Sequence, residues 1–186
     1  MTVEPTLIVL SGAVCAGKST LARGLAADGA GVTLTTRALI ARELGAEPAR
    51  VERGRLQEEG DRLDAESGGE WIAAAAAELL DSAATGLVVV DAVRKEPQLE
   101  ALAALSPLLH VHLSASETDL GRRYRARQRA APQLEFPSLA ELRVNTTEAT
   151  VERLGAKADL VINTSAANAA QAQAEVLALV AGEDSG

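Results

Sequence analysis

Five short runs of apolar, mostly β-branched residues recur along the chain, at Leu7–Leu10, Val32–Thr35, Leu87–Val90, Leu108–Leu113 and Leu160–Ile162. Near-continuous apolar runs such as Leu-Val-Val-Val predict strands buried on both faces rather than strands with one wet side. The longer segments between them are rich in Ala, Leu, Glu and Arg and predict helices. Strands alternating with helices imply a parallel sheet with helices on both faces.

Local signals sharpen the helix boundaries. Ser114-Ala-Ser-Glu117 has the form of a capping box and predicts the start of an arginine-rich helix. Pro97 suits a first helical turn ahead of Gln98–Leu105, and Gly45 suits the end of a helix containing Arg37–Leu44. Val51–Glu66 and Glu70–Asp81 read as two helices parted at Gly68-Gly69. Thr147–Leu154, closed by Gly155, reads as another, and Asn168–Val180 as an amphipathic closing helix. No repeat or linker divides the 186 residues, so the expectation is one domain, 1–186.

Composition removes several function classes. Lys+Arg 18 against Asp+Glu 26 leaves a formal charge of −8, which disfavours broad contact with nucleic acid or anionic membrane. Aromatic residues make up 2%, so no stacking platform for single strands exists. One cysteine and two histidines leave little for a metal cage, and no apolar run approaches membrane-spanning length. The N-terminus lacks the pattern of a signal peptide, and the expectation is a soluble cytoplasmic protein. Against this acidic background Arg122, Arg123, Arg125, Arg127 and Arg129 cluster, which suits a small polyanion.

The strongest chemical signal is the loop Gly12, Ala13, Val14, Cys15, Ala16 and Gly17 with Lys18, Ser19 and Thr20, a full match to G-x-x-x-x-G-K-[ST]. It follows a predicted strand and opens a predicted helix, the context the motif needs. Its backbone N–H groups and the helix N-terminus suit phosphates, Lys18 suits the β- and γ-phosphates of ATP, and the Ser19 hydroxyl suits Mg²⁺. Cys15 reads as a small residue at a variable loop position, with a redox-sensing thiol as the alternative.

Two further constellations point the same way. Asp91 ends a predicted buried strand, and Arg94 follows three residues later; parallel sheets present ligands at such strand ends. Asp91 there suits a Mg²⁺-bound water or a general base. Gln57 and Asp61 lie four residues apart on one helix face with Arg53 and Asp64 near the same stripe, a face that is either solvated or ligand-binding. Gly60 within that helix hints at a close approach by a ligand or a neighbouring chain segment.

With these motifs in place, the chain over roughly residues 6–180 resembles the nucleoside monophosphate kinase group of phosphate-loop (P-loop) proteins. Thr36-Arg37 looks like the arginine after the second strand that grips the acceptor phosphate. Arg53-x-x-Leu-Gln57-x-x-Gly60, with Trp71, is similar to a stretch of deoxynucleoside monophosphate kinases. Asp91-Ala-Val-Arg94 resembles the Asp-Gly-Ile-Arg and Asp-Gly-Phe-Pro-Arg segments of adenylate-kinase-like proteins, without their glycine. Arg123 and Arg127 fall where such enzymes carry lid arginines, and Ala158–Asn163 looks like the strand leading into the adenine loop.

The resemblance implies a three-layer α/β/α P-loop NTPase fold with a five-stranded parallel sheet, acceptor-binding helices at 36–82 and a short helical lid at 122–145. It implies ATP and Mg²⁺ as cofactors, with Ser19 and Asp91 toward the metal. Arg37, Arg53, Gln57, Asp61 and Arg94 would lie toward a nucleotide acceptor, and Arg123 and Arg127 over the transferring group. The protein would act as a monomer or homodimer on a small molecule. Two rivals remain open: a kinase for a hydroxyl acceptor, with Asp91 as the base, and a nucleotide-binding regulator with slow ATPase activity. Tyr124 and Trp71 read as core residues or base stackers. His110 and His112 read as a buried pair on one strand face. Asn145, Thr146 and Glu148 read as a helix cap or a lid hinge.

Overall fold

The computed structural model describes residues 5–83, 86–144 and 148–183. Asn145 and Thr146, and the side chain of Glu148, lie outside the described part. The chain opens with β1 (Thr6–Gly12), α1 (Lys18–Leu25), β2 (Gly31–Thr35) and α2 (Thr36–Glu43). It continues through α3 (Arg53–Ser67), α4 (Glu70–Ser82), β3 (Leu87–Asp91), α5 (Glu96–Leu105) and β4 (Leu108–Ser114). The remaining elements are α6 (Glu117–Ala130), α7 (Leu139–Val144), α8 (Glu148–Gly155), β5 (Leu160–Asn163) and α9 (Ala169–Glu183). The five strands form one sheet in the order β2-β3-β1-β4-β5, every pair parallel.

Alternation along β1 builds the three layers. Ile8 and Leu10 point to one face and pack with Leu21 and Leu25 of α1 and Val176 of α9. Leu7 and Val9 point to the other and pack with Ile72 of α4, Leu99 and Leu102 of α5 and Leu154 of α8. Both faces of β1 are fully covered, as the continuous apolar runs require. A smaller cluster of Ile40, Ala41, Val51, Leu56 and Leu63 joins α2 to α3, which sets α3 over the C-terminal edge of the sheet.

The expected α3–α4 break occurs where Gly68 and Gly69 take φ of 62° and 93°, which glycine adopts without steric penalty. Two local expectations change. The N-cap of α6 is Ser116, whose hydroxyl accepts from Asp119 N; Ser114 instead completes β4, where pairing with Asn163 extends the strand. The closing helix is less cleanly amphipathic than expected, because Leu177 and Leu179 are exposed beside buried Ala172 and Val176.

Candidate active site

The C-terminal ends of β1, β2 and β3 converge beneath one cavity of about 850 Å³. Register places Asp91 beside Leu10 of β1 and Thr35 of β2, so the carboxylate stands at the rim of the phosphate loop. The loop departs at Gly12, where a Cβ would fall 2.1 Å from the Leu113 carbonyl oxygen, so only glycine passes over β4 there. Gly17, with φ of 102°, caps α1 and aims its first N–H groups into the loop. Lys18 Nζ donates to the Gly12 and Ala13 carbonyls, both at 2.6 Å. This set of glycine backbone, lysine, helix N-terminus and Ser19 fits a nucleotide triphosphate with its Mg²⁺.

Lys18, Ser19, Thr20, Arg37, Arg53, Gln57, Asp61, Asp91, Arg94, Arg123 and Arg127 all line this cavity, so the sequence-derived site residues are brought together. Their engagements differ. Arg37 Nε donates to the Pro48 carbonyl at 2.9 Å and Nη2 to that of Val51 at 2.8 Å. Burial, then the nearby Arg127 and Arg53, push its guanidinium pKa down, with Glu135 opposing. Arg123 clamps the phosphate loop to the β5–α9 connection, donating to Cys15 O at 3.2 Å and to Thr164 Oγ1 and O at 2.9 Å. Thr164 Oγ1 also lies 2.9 Å from Ala16 O, which fixes that connection over the loop. Cys15 lies in the left-handed region with φ of 65°; burial raises its thiol pKa against the lowering influence of Arg127, Arg53 and Lys18.

The far end of the cavity holds a polar lattice. Asp64 accepts from Trp71 Nε1 at 2.7 Å, from Gln98 Nε2 at 2.9 Å and from Lys95 Nζ at 3.0 Å. Lys95 also meets Asp61 at 2.6 Å. Burial works against the Lys95 charge, but Asp61 and Asp64 outweigh it and raise its pKa. Gln98 Oε1 accepts from Arg94 N at 2.8 Å, which orients the segment after Asp91. The close approach anticipated at Gly60 is to Ile40, whose Cδ1 would lie 3.2 Å from an added Cβ. One atom in this wall lacks a partner among the described residues: Gln57 Nε2 is buried with no acceptor within reach there.

Trp71 stands in the cavity wall, whereas Tyr124 is buried with its hydroxyl donating to Phe136 O at 3.0 Å. His110 and His112 share a strand face outside the cavity, both bonded to Ser11 Oγ, at 2.7 and 2.8 Å. Sequence reasoning passed over Lys95, Gln98, Thr164 and Glu135. Lys95 and Gln98 carry no motif of their own, although their place just after Arg94 was a usable hint. Nothing local marks Thr164 or Glu135.

Fold and loop together define a P-loop kinase fold. The chain belongs to the AAA_18 family, described as an AAA domain, which matches residues 8–144. Among solved structures it is similar to a shikimate kinase from Acinetobacter baumannii in complex with shikimate, at 21% identity and a TM-score of 0.58 over 96% of this chain and 94% of that one. A tunicamycin resistance protein from Deinococcus radiodurans is similar at 15% identity, with a TM-score of 0.64 over 95% of each chain. A gluconokinase from Sinorhizobium meliloti is similar at 18% identity, with a TM-score of 0.52 over 95% of this chain and 91% of that one. No curated protein matches the sequence. No described helix is long and apolar enough to cross a membrane.

Proposed function

We propose that the protein is an ATP-dependent kinase that transfers the γ-phosphoryl group to a hydroxyl of a small anionic metabolite. The observation that carries this reading is the state of the three carboxylates in the cavity wall. Asp61 and Asp64 are committed to Lys95, Gln98 and Trp71, whereas Asp91 forms no side-chain hydrogen bond or ion pair among the described residues. Asp91 stands at the phosphate-loop rim, where a base takes the proton of an attacking hydroxyl. The fold shared with a shikimate kinase and a gluconokinase supports an acceptor of that size and chemistry.

The chain's own residues supply positioning and charge neutralisation. Lys18 and the loop N–H groups hold the donor phosphates, and Arg123 fixes the loop against the β5–α9 connection. Arg37, Arg53, Arg94 and Arg127 face the cavity and suit the anionic group of the acceptor and the charge of the transferring phosphoryl. Ser19 would hold Mg²⁺, which when bound neutralises charge on the phosphate oxygens, and Asp91 would join it only in a reading with a phosphate acceptor, which needs no base. In this reading residues 36–82 form the acceptor side and 122–145 the lid of one domain, 1–186.

A second reading, a nucleoside monophosphate acceptor, is favoured by the Gln57 amide, unpaired among the described residues, in a cavity that Trp71, Ile40 and Leu56 also line. An unpaired amide donor in a cavity with apolar lining suits a planar base carrying acceptor atoms.

One assay separates the readings. The protein is incubated with Mg²⁺-ATP and two panels, hydroxyl-bearing small acids and nucleoside monophosphates, with Lys18→Ala as the control. A phosphorylated acid lost in the control supports the main reading, and Asp91→Asn should then cost about 10²–10⁴-fold in kcat. A nucleoside diphosphate product replaces it with the second reading. ATP bound or slowly hydrolysed with no acceptor product from either panel overturns both in favour of a regulatory module.

A further inference from the structure

Behind the cavity wall, one carboxylate holds two of its arginines. Glu135 follows the single turn Pro132–Leu134 after α6, and its side chain is only 3% exposed. It does not line the cavity, but Arg53 and Arg127 do. Glu135 Oε1 accepts from Arg127 Nε at 2.6 Å, and Oε2 accepts from Arg53 Nε. Arg53 Nη2 lies 3.4 Å from Oε1. Arg53 begins α3 and Arg127 lies in the last turn of α6, so one carboxylate joins the two sides of the cleft. Arg37 feels the same trio, repelled by Arg127 and Arg53 and attracted by Glu135.

Guanidinium groups that converge on one anion repel each other before the anion arrives. A buried carboxylate offsets that repulsion and fixes each fork through its Nε edge, leaving other N–H groups of each fork to address the cavity. The surroundings hold Glu135 itself in place. Tyr124 Oη donates to the carbonyl of the next residue, Phe136, whose ring packs with Val14 of the phosphate loop, Tyr124 and Leu142.

We propose that Glu135 is a positioning residue for phosphoryl transfer, acting through Arg127 and Arg53 rather than on the substrate. The proposal rests on the kinase reading and adds to it a residue that no part of the phosphate-loop motif contains. Its removal should lower turnover by disordering the two arginines, without weakening the hold of the phosphate loop on ATP.

The test is a double-mutant cycle on the full chain with Glu135→Gln, Arg127→Ala and the pair, and with Glu135→Asp as a variant that keeps the charge. Glu135→Gln should lower kcat about tenfold with the KM for ATP within about twofold. In the Arg127→Ala background the same change should cost less than about threefold, because one of its two routes of action is gone. Glu135→Asp should retain more turnover than Glu135→Gln. Full additivity in the cycle, or a KM for ATP that rises in step with the loss of kcat, overturns the proposal. If the wild type phosphorylates no acceptor, the kinase reading itself has failed. That outcome overturns the proposal together with the reading it rests on, whereas turnover in the wild type with an additive cycle overturns the proposal alone.

Discussion

The indole N–H of Trp71 donates to the Asp64 carboxylate at 2.7 Å, which anchors the chain's single tryptophan in the wall of the cavity. Asp64 in turn holds Gln98 and Lys95, and Gln98 orients the Arg94 backbone. The tryptophan is therefore wired to the α3–α5 wall, the side proposed for the acceptor, and not to the phosphate loop. An acceptor entering the cavity should change its emission intensity or wavelength, whereas Mg²⁺-ATP alone should change it much less. A fluorescence titration with each ligand separately checks this, and a larger response to ATP than to any acceptor would count against the placement of the acceptor beside α3.

Gln57 leaves a buried amide donor unpaired among the described residues in the same wall. A buried donor without a partner costs about 1–3 kcal/mol, which a ligand acceptor atom at that position recovers. Gln57→Ala should raise the acceptor KM about tenfold or more while the KM for ATP stays within about twofold. Steady-state kinetics with each substrate varied in turn gives the comparison, and equal effects on both would remove Gln57 from the acceptor site.

Two glycines should respond oppositely to alanine. At Gly12 a Cβ meets backbone, 2.1 Å from Leu113 O, and φ is +134°. Gly12→Ala should destabilise the protein by about 3 kcal/mol or more, because neither strand can shift without breaking the sheet. At Gly60 the Cβ meets only the Cδ1 end of Ile40 at 3.2 Å, and helix propensity gains about 1 kcal/mol. Gly60→Ala should melt within a few degrees of the wild type. Thermal unfolding of the two variants side by side decides it.

The Ser11–His110–His112 chain predicts an acid-sensitive core. Burial, followed by the neighbouring His110 and Lys18, lowers the His112 pKa from 6.5 to about 4. The folded protein thus keeps His112 neutral over a range in which the unfolded chain takes up a proton. Its contribution to stability is present in full above pH 6.5, declines as pH falls, and is exhausted near pH 4. Melting temperatures between pH 7.5 and 4 should fall less steeply for His112→Asn than for the wild type; parallel curves would show that His112 does not titrate in this window.

Much of the architecture was legible in the order of residues, because its signals are local. The apolar runs of β1, β3 and β4 are satisfied by strands covered on both faces, whereas the edge strands β2 and β5 leave Val32 and Val161 exposed; the structure places all five in one parallel sheet. Pro97 in the first turn of α5 and Gly68-Gly69 between α3 and α4 act through backbone dihedrals that no tertiary contact needs to supply. The N-cap of α6 escaped for the converse reason. Ser114 and Ser116 both offer a hydroxyl, and only pairing of β4 with β5 assigns Ser114 to the strand.

The candidate site divides along the same line. The run from Gly12 to Thr20 carries its motif in consecutive residues, so the chain alone marked the phosphate loop, and the strand-end position set Asp91 at its rim. Which partners the remaining side chains take was decided only by tertiary structure. Arg53 and Glu135 are separated by 82 residues, Lys95 and Asp61 by 34, and Arg123 and Thr164 by 41. An ion pair carries no periodicity and no backbone signature; it depends on where two elements end in space, and that follows from how the helices pack on the sheet.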